Sequence, residues 1–195
     1  MSDEPTVDEL PGGREAAYEL LNEYTKKSGL VKHALAVEAA CRAYADKSGA
    51  DADAWGIVGL LHDFDYERWP TPADHPFRGV EILEERGYPE WFRRAILSHA
   101  NYSGVPRETP LEKTLFACDE ISGFLTACAL VTPTKSLQDV KIRSVRKKMK
   151  SKGFAASVSR EDIVEGAAGL GVDLEEHIGF VLQALQGVAT DLGLD

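Results

Sequence analysis

The chain lacks the features that would place it in several broad classes. It has three cysteines, Cys41, Cys118 and Cys128, an odd number set within apolar helical patterns. That usage argues against a disulfide framework or a thiolate zinc site and reads as small core residues in a reducing compartment. Positive charge is scarce: 22 Lys and Arg stand against 32 Asp and Glu, a formal net charge of −10. A general nucleic-acid binder needs the opposite balance, so a nucleic-acid partner is not expected, although a local basic patch can still hold phosphate. No apolar run approaches the roughly 20 residues of a membrane span. Met1 to Leu10 is acidic and polar, unlike a secretory leader. The expectation is a cytoplasmic protein with no membrane partner. Alternating strand patterns and internal repeats are missing as well.

What remains is helical. A length of 195 residues with 44% hydrophobic and 28% charged content suits one globular domain with a real core. Residues 1–12, rich in Asp, Glu and Pro, read as a flexible tail and 13–195 as a single domain. The periodicity predicts an all-α bundle of about eight or nine helices. A first helix covers Arg14 to Lys27, and Ser28-Gly29 breaks the chain before a longer one from Leu30 to Lys47, with His33 on its apolar face. Asp51 or Asp53 can cap the next helix. There Trp55-Gly56-Ile57-Val58-Gly59-Leu60-Leu61 has large side chains on every face, the mark of a helix buried all round. It runs straight into His62-Asp63.

After Glu67 comes a proline-rich loop. His75 suits a helix N-cap with Pro76 at the first helical position. That helix stops at Gly87, and Pro89 opens another in which Phe92, Ile96 and His99 share a stripe. Thr109-Pro110-Leu111-Glu112 is a capping box starting a long apolar helix to about Leu130, whose only acids after the first turn are Asp119 and Glu120. Ser136 can cap a cationic helix to about Ser151, Ser159 another to Leu170, and Asp173 with Glu176 the final one. In that last helix His177, beside Glu175 and Glu176, reads as exposed.

The polar residues on apolar elements carry the chemistry. His33, His62 and His99 lie on or at the end of apolar helix faces, His75 caps a helix, and Asp63 and Asp119 are carboxylates among apolar neighbours. An ionised carboxylate buried without a partner costs several kcal/mol or more, so it pairs, neutralises or binds metal. Neutral nitrogen donors with two anionic oxygens, one able to bridge, form the ligand set that a pair of divalent cations needs.

In order, these residues form a His, a His-Asp doublet and an Asp, with two added histidines. The pattern resembles the HD-domain superfamily of metal-dependent phosphohydrolases, in the branch holding two metals. From Tyr18 to Leu194, including Ser144 to Ala155, the chain is similar to small bacterial HD-domain hydrolases of mostly unassigned substrate. The resemblance implies a metal-site core at about 28–130 under a helical cover at 131–195. It implies that His33, His62, Asp63 and Asp119 hold one metal, and that His75 and His99 complete a second with Asp63 bridging. The metals expected are two divalent ions, iron or manganese ahead of zinc, nickel, cobalt or magnesium. The implied reaction is hydrolysis of a phosphate ester or anhydride of a small metabolite or nucleotide by a metal-bridging hydroxide.

The sequence departs from relatives in two places. The doublet is followed by Phe64-Asp65-Tyr66-Glu67, so the lysine of the cyclic-dinucleotide members is absent, and Tyr66 stands where some nucleotide-hydrolysing relatives carry Glu. Asp65 and Glu67 become candidates, with Asp63, for proton transfer or for orienting water. Lys141 to Lys152 carries seven cations and no acid. There Arg143, Lys147 and Lys150 share a face and are candidates for a phosphate clamp over the metal site. Tyr66, Trp69 and Tyr102 are candidates for a pocket mouth. Two rival readings stay open: a di-iron oxygenase using the same six ligands, and a metal-stabilised binding or regulatory module without turnover.

Overall fold

Every residue from Ala54 to Leu61 is buried, and the rest of the molecule is arranged around that segment. The computed structural model describes residues 5–195. Among these are ten α-helices, three short 3-10 turns and no strand, as the hydrophobic periodicity predicts. The helices are α1 (Gly13–Tyr24), α2 (Ser28–Ser48), α3 (Ala52–Leu61), α4 (Phe77–Glu85), α5 (Glu90–His99), α6 (Pro110–Leu130), α7 (Ile142–Met149), α8 (Arg160–Gly169), α9 (Leu174–Gly187) and the single turn α10 (Ala189–Leu192). No described helix is long and apolar enough to cross a membrane.

The central helix α3 packs on α1, α2, α5 and α6. Its approach to α2 is possible because position 59 is glycine: a Cβ there would meet the Val37 carbonyl oxygen at 2.9 Å, inside contact distance. Helix α6 is the second spine, contacted by α2, α5, α8 and α9, with Leu115, Ile121, Phe124 and Leu125 fully buried. The start signals read from sequence are made. Asp51 accepts from Ala54 N–H at 3.0 Å, Thr109 and Glu112 form the capping box of α6, and Ser159 and Asp173 cap α8 and α9. The three cysteines are free and buried.

Four local expectations are corrected. The tail expected over 1–12 is ordered from residue 5; residues 1–4 lie outside the described part. A 3-10 turn covers Val7–Glu9, Leu10 is buried, Val7 N–H donates to Asp51 at 2.8 Å, and Trp91 Nε1 donates to Glu9 at 3.0 Å. Asp51 thus serves both segments, one oxygen to each. Pro76, not His75, takes the cap position before α4. Ser136 caps only the 3-10 turn Leu137–Asp139, and the cationic helix begins later, at Ile142.

The fourth concerns His177, which is fully buried. Its Nε2–H donates to the Ala117 carbonyl at 2.8 Å, and its Nδ1 accepts from the Tyr44 hydroxyl at 2.6 Å. Burial holds its pKa below the usual value, against the opposing pull of that carbonyl, so it is a neutral strut joining α2, α6 and α9. The acids beside it in sequence point elsewhere on the helix, which is why adjacency suggested exposure.

Candidate metal centre

Five segments deliver six side chains to one place. His33 comes from the second turn of α2, His62 from the C-terminal end of α3 with Asp63 next in the chain, His75 from the loop before α4, His99 from the last position of α5, and Asp119 from the middle of α6. They form two groups, His33–His62–Asp119 and Asp63–His75–His99, in each of which one ligand atom per residue lies within 4.8 Å of the others. Asp119 Oδ1 stands 3.0 Å from His33 Nε2 and 3.4 Å from His62 Nε2. Asp63 lies between the groups: its Oδ1 is 3.1 Å from His75 Nε2 and 3.3 Å from His99 Nε2, and its Oδ2 is 3.5 Å from His62 Nε2.

The imidazoles are aimed by what holds their other nitrogen. His62 Nδ1 donates to the Gly59 carbonyl at 2.8 Å, and His99 Nδ1 does the same to Ile96. Each uses a carbonyl left unpaired in its own last helical turn. His75 has no such helix, and its Nδ1 donates to Asp65 Oδ1 at 2.7 Å. The other oxygen of Asp65 accepts from Gly79 N–H at 2.9 Å, where a Cβ would fall 2.8 Å from the Asp65 Cγ. With Nδ1 protonated, Nε2 presents its lone pair to the centre, the orientation that outer hydrogen bonds impose on metal-bound histidine.

Metal fits this arrangement on its own chemistry. His62 Nε2 is buried and makes no hydrogen bond, although two carboxylate oxygens stand within 3.5 Å. A buried polar atom without a partner costs about 1–3 kcal/mol, and a cation between these atoms satisfies it. Without a cation, protons do the pairing. Burial disfavours the charged imidazole of His62, but Asp63 and Asp119 outweigh it and raise its pKa to about 10. Against the same desolvation, hydrogen bonds to Asp63 and Asp65 raise His75 to about 9. Burial favours the neutral acids, yet the imidazoles hold Asp63 and Asp119 below the ordinary carboxylate range.

Five of the six, all but the fully buried His62, open on a cavity of about 400 Å³. Its wall includes Tyr66, Asn101, Tyr102, Phe116, Glu120, Ser157 and Asp162. Tyr66 sets its ring edge-on to His75 at 5.2 Å between centroids. Glu120 is half-buried; desolvation and the neighbouring Asp119 push it up to about 7, against the Ser159 N–H it accepts at 3.1 Å.

Other expected site residues go elsewhere. Asp65 is buried, with one oxygen accepting from His75 Nδ1 and the other from Gly79 N–H, and it does not line the cavity. Glu67 turns away to the two residues just before α2, accepting from Lys26 and Lys27 N–H at 2.7 and 2.9 Å, which lowers its pKa. The cationic run expected over the metals lies outside the cavity lining. Val145 is buried and Ile142 and Met149 pack on the core, leaving Arg143, Lys147 and Lys150 exposed, and none lines the cavity. Trp69 likewise is absent from the lining, where Tyr66 and Tyr102 stand. Sequence reasoning gave no role to Asp162, since an acid in a helix's first turn is ordinary favourable placement near the positive end of the dipole.

An all-helical bundle whose core turns two His/Asp groups toward a shared cavity defines a protein able to hold metal at its centre. Residues 30–123, the segment that carries all six His and Asp residues, match the family model for the HD domain, a family of mostly metal-dependent phosphohydrolases. No curated protein matches the chain, and neither does any solved structure.

Proposed function

We propose that this protein is a metal-dependent phosphohydrolase that uses two divalent cations, iron or manganese first, to cleave a phosphate ester or anhydride of a small metabolite or nucleotide. The observation that carries the reading is Asp63 standing between the two groups, with Oδ1 toward His75 and His99 and Oδ2 toward His62. His33, His62, Asp63 and Asp119 would hold one ion, and Asp63, His75 and His99 the other. Bound there, two cations supply an acidic water and neutralise phosphoryl oxygens.

The chain's own residues do the rest. The Nδ1 hydrogen bonds of His62, His75 and His99 fix the donor atoms before substrate arrives, so less reorganisation is needed on binding. Tyr102 lines the mouth; burial first, and then the charges of Asp63 and Asp65, push its hydroxyl up to about 12, so it stays a donor at neutral pH. Hydrolysis then balances simply: a water oxygen bonds to phosphorus, the P–O bond to the leaving group breaks, and the departing oxygen takes up a proton.

The test is elemental analysis of protein purified without added metal, followed by phosphate release from a panel of esters and anhydrides. Release that requires metal and disappears in Asp63→Ala supports the reading. Oxygen consumption with iron and no phosphate release would replace it with the oxygenase, and ligand affinity without either reaction would replace it with a binding module.

A further inference from the structure

The cavity wall has an unusual charge for a site that acts on phosphate. Among its lining residues there is no lysine or arginine. Arg107 adjoins it from behind, but its guanidinium lies 3.6 Å over the Phe116 ring and donates to Asn101 Oδ1 at 2.9 Å, the Ser98 carbonyl at 3.1 Å and Glu165 at 2.7 Å. Two carboxylates that belong to neither His/Asp group face the cavity instead, Glu120 and Asp162. Among the described residues neither makes an ion pair. Glu120 Oε2 accepts only from Ser159 N–H, and Asp162 Oδ1 accepts only from Asn101 Nδ2, at 3.2 Å. Each therefore keeps one oxygen uncommitted. Tyr102, next to Asn101 in the 3-10 turn Asn101–Ser103, is half exposed, and Tyr66 is exposed across from it on His75.

Metal cations placed at the His/Asp groups would neutralise one phosphoryl group. They would not balance a long polyphosphate, and the wall adds repulsion rather than complement. Carboxylates with free lone pairs beside aromatic faces are what recognises an organic cation: an ammonium group gains charge-assisted hydrogen bonds from the acids and attraction from the ring face. The members of the two His/Asp groups that line the cavity, His33, Asp63, His75, His99 and Asp119, mark its phosphoryl end.

We propose that the substrate carries a cationic nitrogen beside its phosphoryl group, an aminoalkyl phosphate being the simplest member of the class, and that Asp162 and Glu120 with Tyr102 receive that nitrogen. The identity of the phosphoryl end rests on the phosphohydrolase reading above; the cation subsite rests on the wall.

The experiment pairs aminoalkyl phosphates of two to four carbons with alkyl phosphates of the same length. Binding to manganese-loaded protein is followed by calorimetry, with phosphate release measured on the same samples. A preference for the amines on the order of tenfold is expected. Asp162→Asn and Glu120→Gln keep the acceptors used by Asn101 and Ser159, so the wall is retained, and each should carry the ratio toward one while bound manganese stays unchanged. Equal binding of the two series overturns the proposal, as does a preference that survives both substitutions or no binding by any member. Release of phosphate without an amine preference leaves the hydrolase and removes the subsite. An amine preference without release from either series leaves the subsite and removes the hydrolase.

Discussion

Asp65 shows how one side chain can matter to chemistry without meeting substrate. It holds the His75 Nδ1 proton with one oxygen and the Gly79 N–H with the other. An amide in its place can accept at only one of these positions. Asp65→Asn is therefore expected to weaken metal binding by roughly 10–100-fold, the usual cost of losing an outer partner of a histidine ligand, as read by metal titration. At His177, the buried histidine outside the two groups, the outcome differs. His177→Ala removes the partner of a buried tyrosine hydroxyl and a core side chain together, and is expected to cost about 2–4 kcal/mol in urea denaturation. The same residue gives stability a pH slope. As pH falls below the ordinary value of 6.5, the unfolded chain takes up a proton that folded His177 resists, so stability declines toward acid. His177→Phe should remove that part of the decline.

Between the elements, the stretch leading into α8 forms the far wall of the cavity through Ser157 and Val158. It has no helix of its own, so its carbonyls need another donor. Arg160 supplies it: the guanidinium donates to Phe154, to Ala155 at 2.5 Å and to Val158 at 2.6 Å, while resting 4.8 Å from the Phe124 ring centroid. Arg160→Ala should leave the Phe154 and Val158 carbonyls unpaired, at a cost of about 1–3 kcal/mol, while Ala155 keeps the Val158 N–H at 3.1 Å. Faster amide hydrogen exchange confined to residues 151–158 would mark the effect as local; uniform exchange across α2, α3 and α6 would contradict it.

For the whole molecule, metal and protons compete for the same six residues. Imidazolium forms of His62 and His75 persist up to about 10 and 9 when only Asp63, Asp65 and Asp119 face them, and ligation requires the neutral rings. In the metal-free protein these raised pKa values stabilise the fold most below about 6.5, and the contribution fades as pH climbs through 9 to 10. Metal uptake should run the other way, strengthening as pH rises, with protons released into a weakly buffered solution. Saturation at about 100 times the dissociation constant should add about 2.7 kcal/mol, which for a chain of this size raises Tm by roughly 5–10 °C. EDTA should reverse the shift. A Tm indifferent to metal at every pH would mean that the two groups do not bind it.

The sequence by itself determined the helical class, the buried stretch Ala54–Leu61 of α3, the caps on α3, α6, α8 and α9, and the candidate ligands, because periodicity, capping and buried charge are local consequences of residue order. It did not determine where a polar side chain of ordinary position ends up. Asp65 and Glu67 are two residues apart, yet one turns inward to His75 and the other outward to the start of α2; His177 sits among acids and is buried; Arg143, Lys147 and Lys150 share a helix face but miss the cavity. Those outcomes depend on how helices distant in the chain pack against one another. Packing alone decided that Asp63 stands between two histidine groups, and that the wall around them carries carboxylates where a phosphate site would ordinarily place cations.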